Sequence, residues 1–172
     1  MGVPKKQIKE KRHRLARSEY VGIKRISFTL CVDEKRSLFT DKKLIELFAD
    51  MLDVVLAKHK IRNWIYVFMP DHVHLVLEGM SSKSDLWKAV KEFKQKTGVW
   101  LSKNSKLKWQ KDFYDHIHRE NENMYFSLNY IMNNPVRKGL VLNCLDYMGL
   151  GSLDFDIEQM VNQIERSPKA AD

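Results

Sequence analysis

The chain is poor in cysteine, glycine and proline, and these shortages exclude several protein classes. Its two cysteines, Cys31 and Cys144, are too few for a disulfide framework and lack metal-ligand spacing. Seven glycines and four prolines argue against a disordered or fibrous chain. No apolar run approaches the roughly 20 residues of a membrane span, and no signal-peptide region precedes the first charges. These absences favour a cytoplasmic protein in which Cys31 is a small core residue.

The composition that remains suits one globular domain. The chain has 172 residues, of which 44% are hydrophobic and 10% aromatic, and this length fits one well-packed core better than two. We expect a basic arm at residues 1–20, a single domain at residues 21–150 and a C-terminal tail at residues 151–172.

Positive charge is concentrated in two segments. Residues 1–25 hold nine Lys/Arg against two acids, and residues 83–111 hold nine lysines against two acids, so each carries +7. Together they carry +14 in a chain of net charge +8, which leaves −6 for the remainder. This distribution predicts a polyanion partner. The alternative is a solvated lysine face with a basic tail that keeps the protein soluble.

Four segments have the composition of β-strands. Strong β-formers predict strands at residues 25–32, 62–69 and 72–78, and the last two are joined by a tight turn at Pro70-Asp71. Residues 109–118 are expected to contain a fourth strand. Since the second and third strands are apolar on both faces for part of their length, they should lie centrally in a covered sheet.

Three segments show the 3.6-residue spacing of helices. The first runs over residues 40–58, the second is capped by Ser84 and continues to about residue 101, and the third covers residues 120–134. The third helix should stop near Pro135 because proline disfavours helical backbone at the residue before it. The order β-α-β-β-α-β predicts an α+β, ferredoxin-like sandwich with an antiparallel sheet, helices on one face and a helix after the fourth strand.

Two histidines in the third strand are the first candidates for chemistry. His72 and His74 are separated by one residue, so their side chains lie on the same face of the strand. Two adjacent imidazoles on a rigid strand form half of a metal site. The alternative is a pair of histidines that happen to flank a core valine.

The third helix supplies a phenol and an amide at helical spacing. Tyr130 and Asn134 are four residues apart and are expected on one helical face, where both could reach the same metal centre. A phenol beside a divalent cation is a plausible nucleophile toward phosphate. Tyr130 could equally be a packed aromatic residue, and Tyr114 and Tyr125 are competing phenols.

Several motifs of the chain resemble those of one enzyme family. The similarity runs over about residues 20–141 and comprises four phrases: His72-Val73-His74; the strand Val67-Phe68-Met69-Pro70-Asp71-His72-Val73-His74-Leu75; Trp109-Gln110-x-x-Phe113-Tyr114-Asp115-His116; and Tyr130-Ile131-x-x-Asn134-Pro135-Val136-Arg137-x-Gly139-Leu140-Val141. In this order they resemble the single-tyrosine HUH transposases of insertion sequences, and most of all the REP-associated tyrosine transposases.

This resemblance implies a metal-dependent endonuclease and transposase that acts on single-stranded, hairpin-forming repeat DNA. It implies Mg²⁺ or Mn²⁺ held by His72, His74 and Asn134. It also implies that Tyr130 attacks the phosphodiester to leave a 5′-phosphotyrosine and a free 3′-hydroxyl. The protein is expected in the cytoplasm with the nucleoid, as a monomer rather than the alternative homodimer.

Basic residues are the candidates for contact with the DNA backbone. Those predicted to bind DNA are Lys88, Lys91, Lys94, Arg12 and Arg14. Two other functions stay open from the residues alone. One is a non-catalytic single-stranded nucleic-acid-binding module on the same fold, and the other is a hydrolytic or metal-storage protein.

Four further side chains have less certain roles. Asp115 and His116 fit either a structural role in the fourth strand or a place in the active site. His59 and His118 are expected to be ordinary surface residues.

Overall fold

The computed structural model describes residues 16–119 and 122–166, which form a five-stranded sheet with helices on both faces. The strands are β1 (Arg25–Cys31), β2 (Ile61–Met69), β3 (His72–Gly79), β4 (Tyr114–Ile117) and β5 (Leu150–Gly151). Their order across the sheet is β4-β1-β3-β2-β5, and all neighbouring pairs are antiparallel. The expected ferredoxin-like α+β sandwich is confirmed, and the short β5 extends it by one strand.

The helices are α1 (Lys42–His59), α2 (Leu86–Asn104), α3 (Met124–Met132), α4 (Asn134–Arg137) and α5 (Ile157–Arg166). The helix α1 begins where predicted because the Asp41 side chain accepts a hydrogen bond from Lys43 N at 3.3 Å. No described helix is long and apolar enough to cross a membrane.

One face of the sheet, which we call the helical face, is covered by α1 and α2. Alternate residues of β1 and β3, among them Phe28, Leu30, Val73 and Leu75, are fully buried there. This follows from the period-2 alternation of strands, which sends every second side chain to the same face. The core is rich in aromatic contacts, such as the edge-to-face pair Phe39–Phe68 with ring centroids 4.9 Å apart.

The other face, which we call the histidine face, carries Thr29, His72, His74, Tyr114 and His116. It is only partly covered. Under α3 and α5 lies a second core of twelve buried side chains: Ile65, Val67, Met69, Val76, Leu128, Ile131, Met132, Cys144, Tyr147, Met160, Val161 and Ile164. The expectation of helices on one face alone is therefore wrong, because the segment after the fourth strand returns to cover half of the histidine face.

The cap of α2 differs from the sequence prediction. Asp85 is the N-cap residue, and its Oδ1 accepts from Lys88 N at 3.0 Å. Ser84 is instead buried in the preceding turn, where its Oγ donates to Lys60 O at 2.7 Å and accepts from Met80 N at 3.1 Å. A serine next to an aspartate can satisfy the loop while the carboxylate caps the helix.

The predicted helix at residues 120–134 is shorter and divided in two. Asn123 starts α3 by accepting from Tyr125 N at 3.0 Å, so the helix begins at Met124. It ends at Met132, and α4 begins with Pro135 in its first turn. Proline has no N–H to continue the ladder of α3 but fits the start of a new helix.

The C-terminal segment contains a packed helix. Residues Met160, Val161 and Ile164 of α5 are buried against α3 and β2, and burial of each such side chain contributes about 1.5–3 kcal/mol to the free energy of unfolding. Residues 167–172 lie outside the described part of the chain.

Candidate functional site

The two histidines of β3 point their Nε2 atoms at each other. The distance between His72 Nε2 and His74 Nε2 is 3.1 Å, and the two rings are nearly perpendicular, at 87°. Each outer nitrogen has its own partner: Asp71 Oδ1 lies 2.6 Å from His72 Nδ1, and Thr29 Oγ1 lies 3.0 Å from His74 Nδ1. Strand β1 provides Thr29 because it pairs with His74 in register. The imidazoles are thus held in fixed orientations.

This arrangement fits a divalent cation. Two ligands that each lie about 2.1 Å from an octahedral ion at right angles are roughly 3.0 Å apart, close to the separation of the Nε2 atoms. Histidines that bind metals commonly give their other nitrogen to a carboxylate or hydroxyl, as Asp71 and Thr29 provide here. If both outer nitrogens donate, two lone pairs face each other, and a cation between them removes the repulsion.

The electrostatic environment keeps His74 neutral. Burial, the neighbouring His72 and the charge of Arg137 lower the pKa of His74 from 6.5 to about 3, although Asp71 acts in the opposite direction. A neutral imidazole is the form that binds a metal.

Tyr130 and Asn134 are brought together by Arg137. The Arg137 guanidinium lies 3.6 Å from the centroid of the Tyr130 ring, and its Nη1 donates to Tyr130 O at 2.8 Å. Its Nη2 also donates to Asn134 Oδ1. The Tyr130 side chain is 57% exposed whereas Asn134 is buried, so the phenol is available to a large substrate and the amide is held in place.

Arg137 also connects this group to the histidines. Its charge contributes to the lowered pKa of His74, and Lys138, which directly follows α4, lines the same groove as His72. Sequence reasoning quoted Arg137 within a motif and assigned it no role. Its spacing of seven residues from Tyr130, two helical turns on the same side, is the signal that could have indicated a contact.

A groove beside His72 holds the competing phenol Tyr114 together with side chains that sequence reasoning missed. Its lining includes Lys35, Gln110, Tyr114 and Lys138, and the two lysines provide positive charge on the histidine face. Cys31 also lines it, half-buried and paired in register with His72. The prediction that Cys31 is a core residue is wrong, because Leu30 and Val32 take the buried positions on either side.

The predicted DNA-binding lysines lie on α2, in the layer that covers the helical face. Lys88 and Lys91 flank Trp87, and Lys91 Nζ is 4.4 Å from the centroid of that ring. Lys94 is already engaged, since its ammonium donates to the carbonyls of Gln110, Lys111 and Asp112 at 2.7–3.2 Å. Arg12 and Arg14 lie outside the described residues.

The side chains with uncertain roles divide between the two faces. Asp115 accepts a hydrogen bond from the buried Tyr20 hydroxyl, which is a structural role on the helical face. His116 is on the histidine face and contacts Glu122 at 2.9 Å. His118 is not a surface residue, because its side chain is only 3% exposed. His59 is also mostly buried and lies 2.9 Å from Glu92.

The competing phenols are placed differently. Tyr114 pairs with Thr29, which in turn pairs with His74, so it lies on the histidine face in the same row as the metal-binding candidates. Tyr125 lies in the first turn of α3. Tyr114 is therefore the stronger alternative to Tyr130.

A protein-family model described as "Transposase IS200 like" matches residues 21–134 of the chain. The chain belongs to the IS200-like transposase family. This membership confirms the resemblance found in the sequence and the expected class of enzyme, a single-tyrosine HUH transposase. Among curated protein sequences none matches the chain.

Two solved structures are similar in fold to this IS200-like transposase. One is a REP-associated tyrosine transposase bound to a REP hairpin, with 19% identity, coverage of 92% of this chain and 94% of that one, and a TM-score of 0.72. The other is a candidate transposase from Deinococcus radiodurans R1, with 17% identity, coverage of 70% and 96%, and a TM-score of 0.50.

Proposed function

We propose that this IS200-like transposase cleaves and rejoins single-stranded DNA at hairpin-forming repeats, with Tyr130 as its nucleophile. The observation that carries the proposal is the convergence of His72 Nε2 and His74 Nε2 at 3.1 Å, with both outer nitrogens held by Asp71 and Thr29. Without a cation this contact is a hydrogen bond between the two imidazoles, and the carboxylate and hydroxyl on the two outer nitrogens are what favour a metal site.

The residues that would hold Mg²⁺ or Mn²⁺ are His72, His74 and Asn134. When bound, the ion neutralises phosphate oxygens and orients the phosphodiester. An amide oxygen has two lone pairs, so Asn134 Oδ1 can accept from Arg137 and still serve as a ligand. The remaining positions of an octahedral ion suit water and phosphate oxygens.

The chemistry assigned to the chain is a displacement at phosphorus. The Tyr130 oxygen forms a new P–O bond and its proton passes to solvent. The bond from phosphorus to the 3′ oxygen breaks, and that oxygen takes a proton and leaves as a 3′-hydroxyl. Rejoining reverses the step without a nucleotide triphosphate, because the 5′-phosphotyrosine keeps the bond energy. Arg137, stacked on the phenol, fixes its ring and places positive charge near the attacked phosphate.

Hairpin DNA is the substrate class that the chemistry and the comparison favour. The similar REP-associated transposase was solved with a REP hairpin, and Lys35 and Lys138 line the groove next to His72. A DNA substrate would place the enzyme in the cytoplasm with the nucleoid, and we expect it to act as a monomer.

The rival function is a non-catalytic nucleic-acid binder on the same fold. Binders of single strands on such sheets present aromatic side chains on the central strands for stacking. Here the corresponding face of β3 presents His72 and His74 instead, which favours catalysis.

The test is the formation of a covalent protein–DNA adduct on a denaturing gel. A hairpin oligonucleotide with single-stranded flanks is labelled at either end and incubated with the protein and Mg²⁺ or Mn²⁺. The 3′-labelled fragment should migrate with the protein, and the 5′-labelled fragment should be released with a 3′-hydroxyl. Tyr130→Phe should abolish both products and leave hairpin binding nearly intact, because only one hydroxyl is removed.

The matched controls are Tyr114→Phe and Tyr125→Phe, which should keep the adduct. An adduct that persists in Tyr130→Phe and disappears in Tyr114→Phe would move the nucleophile to β4. Hairpin binding with no adduct in the wild-type protein would support the non-catalytic rival.

A further inference from the structure

A second pair of histidines lies on the histidine face, at the edge of the sheet. His116 is in β4 and His118 follows that strand, and both face Glu122 in the segment that leads to α3. His116 Nε2 is 2.9 Å from Glu122 Oε2, and His118 Nδ1 is 3.7 Å from the same oxygen. One ligand atom from each of these three residues lies within 4.8 Å of the other two.

His118 is the decisive member of this cluster. Its side chain is 97% buried, given the 3% that is exposed. Its Nε2 lies 2.5 Å from Ser27 Oγ, while its Nδ1 has no hydrogen-bond partner among the described residues and is directed at Glu122. Leaving a buried polar atom unpaired is costly, so such an atom calls for an explanation.

The cluster repeats the construction of the first histidine pair. Ser27 of β1 holds the outer nitrogen of His118 as Thr29 holds that of His74. The rings of His116 and His118 are also perpendicular, at 87°, with centroids 5.1 Å apart. A hydroxyl on the outer nitrogen orients an imidazole for metal binding.

We propose that His116 Nε2, His118 Nδ1 and Glu122 Oε2 bind a zinc ion, with the fourth position open to water. Two imidazoles and one carboxylate, with one position left for water, are the ligand set of many four-coordinate zinc sites. Ligands about 2.0–2.1 Å from a tetrahedral ion are roughly 3.4 Å apart, and the two distances to Glu122 lie on either side of that value.

A simple ion pair does not account for the same geometry. A bond between the exposed His116 and Glu122 satisfies those two groups and leaves His118 Nδ1 unpaired. The nearby Arg25 forms its ion pair with Glu78 rather than with Glu122, since Arg25 Nη2 donates to Glu78 at 2.6 Å. A cation that contacts all three ligand atoms satisfies the buried nitrogen together with His116 and Glu122.

A zinc ion at this site would link the edge of the sheet to α3, the helix that carries the proposed nucleophile Tyr130. Glu122 directly precedes Asn123, whose side chain caps α3. Zinc would therefore fix the N-terminal end of α3 to the edge strand, and α3 carries Tyr130. The ion would position the helix and take no part in the reaction.

The experiment measures zinc binding by the full-length chain without DNA. His72→Ala/His74→Ala, which lacks the first histidine pair, is stripped with a chelator and titrated with ZnCl₂ by calorimetry. It should bind one zinc per chain, with a rise in the midpoint of thermal unfolding that MgCl₂ does not produce. Adding His116→Asn should weaken binding by more than about 100-fold, since even the loss of an outer-shell partner costs roughly 10–100-fold.

Glu122→Gln is the second variant, and both changes are at partly exposed side chains, so neither opens a cavity in a core. His59→Asn is the matched control, because His59 also faces a glutamate, Glu92, but in an ion pair with Lys58. The control should bind zinc as before. Absence of stoichiometric zinc, or zinc binding that neither His116→Asn nor Glu122→Gln weakens, would overturn the proposal. Because no DNA is present, this outcome is independent of the nuclease assay.

Discussion

On the helical face of the sheet, α1 and α2 pack over the strands, and apolar side chains such as Phe28 and Leu75 are completely buried. On the histidine face, α3 and α5 cover β2 and part of β3, and they leave β1 and β4 open. Polar side chains, including Thr29, His74 and His116, occupy that open part.

The boundary between covered and open surface is where the candidate chemistry lies. His74 is buried enough to have a strongly lowered pKa, yet His72 beside it lines an open groove. A metal site needs both conditions, since burial fixes the ligands and an opening admits the substrate. The helical face meets the condition of burial but not that of an opening for substrate. It therefore serves as the rigid support for the site on the other face.

The largest expected difference between the faces is in the cleavage rates of His74→Ala and His59→Ala. The first change removes a proposed metal ligand from the histidine face, so cleavage of the hairpin substrate should fall by more than about 100-fold, beyond the roughly 10–100-fold cost of losing an outer-shell partner. The second removes a histidine at the end of α1 and should leave cleavage within a few-fold. Initial rates at saturating Mg²⁺ or Mn²⁺ measure both, and equal rates in the two variants would end the assignment of the site to this face.

A pH dependence of stability should also separate the faces. The pKa of His74 is about 3 in the folded chain and 6.5 ordinarily, so the unfolded chain takes up this proton first as the pH falls. The stabilising contribution is complete above pH 6.5 and is lost progressively toward pH 3. The expected slope is up to about 1.4 kcal/mol per pH unit.

Chemical denaturation in the presence of chelator, at several pH values, measures this slope. His74→Gln should remove the part of the slope that His74 contributes. Tyr130→Phe removes no imidazole and should therefore leave the slope unchanged. A slope that is the same in His74→Gln and wild type would show that folding does not lower the pKa of His74.

The smallest effect concerns the lysines of α2. Lys88→Ala/Lys91→Ala should flatten the dependence of log affinity on log salt by roughly 1.4, since each phosphate contact to a single strand contributes about 0.7. Lys94→Ala should leave the salt slope unchanged and lower the free energy of unfolding by about 1 kcal/mol, because its ammonium binds three backbone carbonyls. An unchanged slope in the double variant would remove Lys88 and Lys91 from the DNA path, which would then have to follow Lys35 and Lys138 or the predicted contacts Arg12 and Arg14.

The sequence patterns predict the helical face better than the histidine face. Strand alternation and helical spacing located β1, β2, β3, α1 and α2 to within a few residues, because those elements bury one regular stripe each. The spacing of His72 and His74 likewise placed them on one face, as the structure has them.

What the sequence did not predict depends on contacts between distant segments. The cover provided by α5, the role of Arg137 beneath Asn134 and the burial of His118 each require the segment after β4 to fold back onto the sheet. No local spacing of apolar residues predicts that this segment folds back onto the sheet. The division of the helix at Asn133 was missed for a different reason: Pro135 predicts a stop, although proline also favours the first turn of a new helix.

The two cores also differ in when they can form as the chain is synthesised. The buried residues of the first core run from Tyr20 to Trp109, whereas the second requires Met160, Val161 and Ile164 of α5. A nascent chain halted before α5 can therefore assemble its frame while α3, which carries Tyr130, has β2 to pack against but still lacks α5. The half of the fold that carries the proposed nucleophile is therefore completed after its frame, so translation itself would delay the moment at which Tyr130 is presented on a fully packed helix.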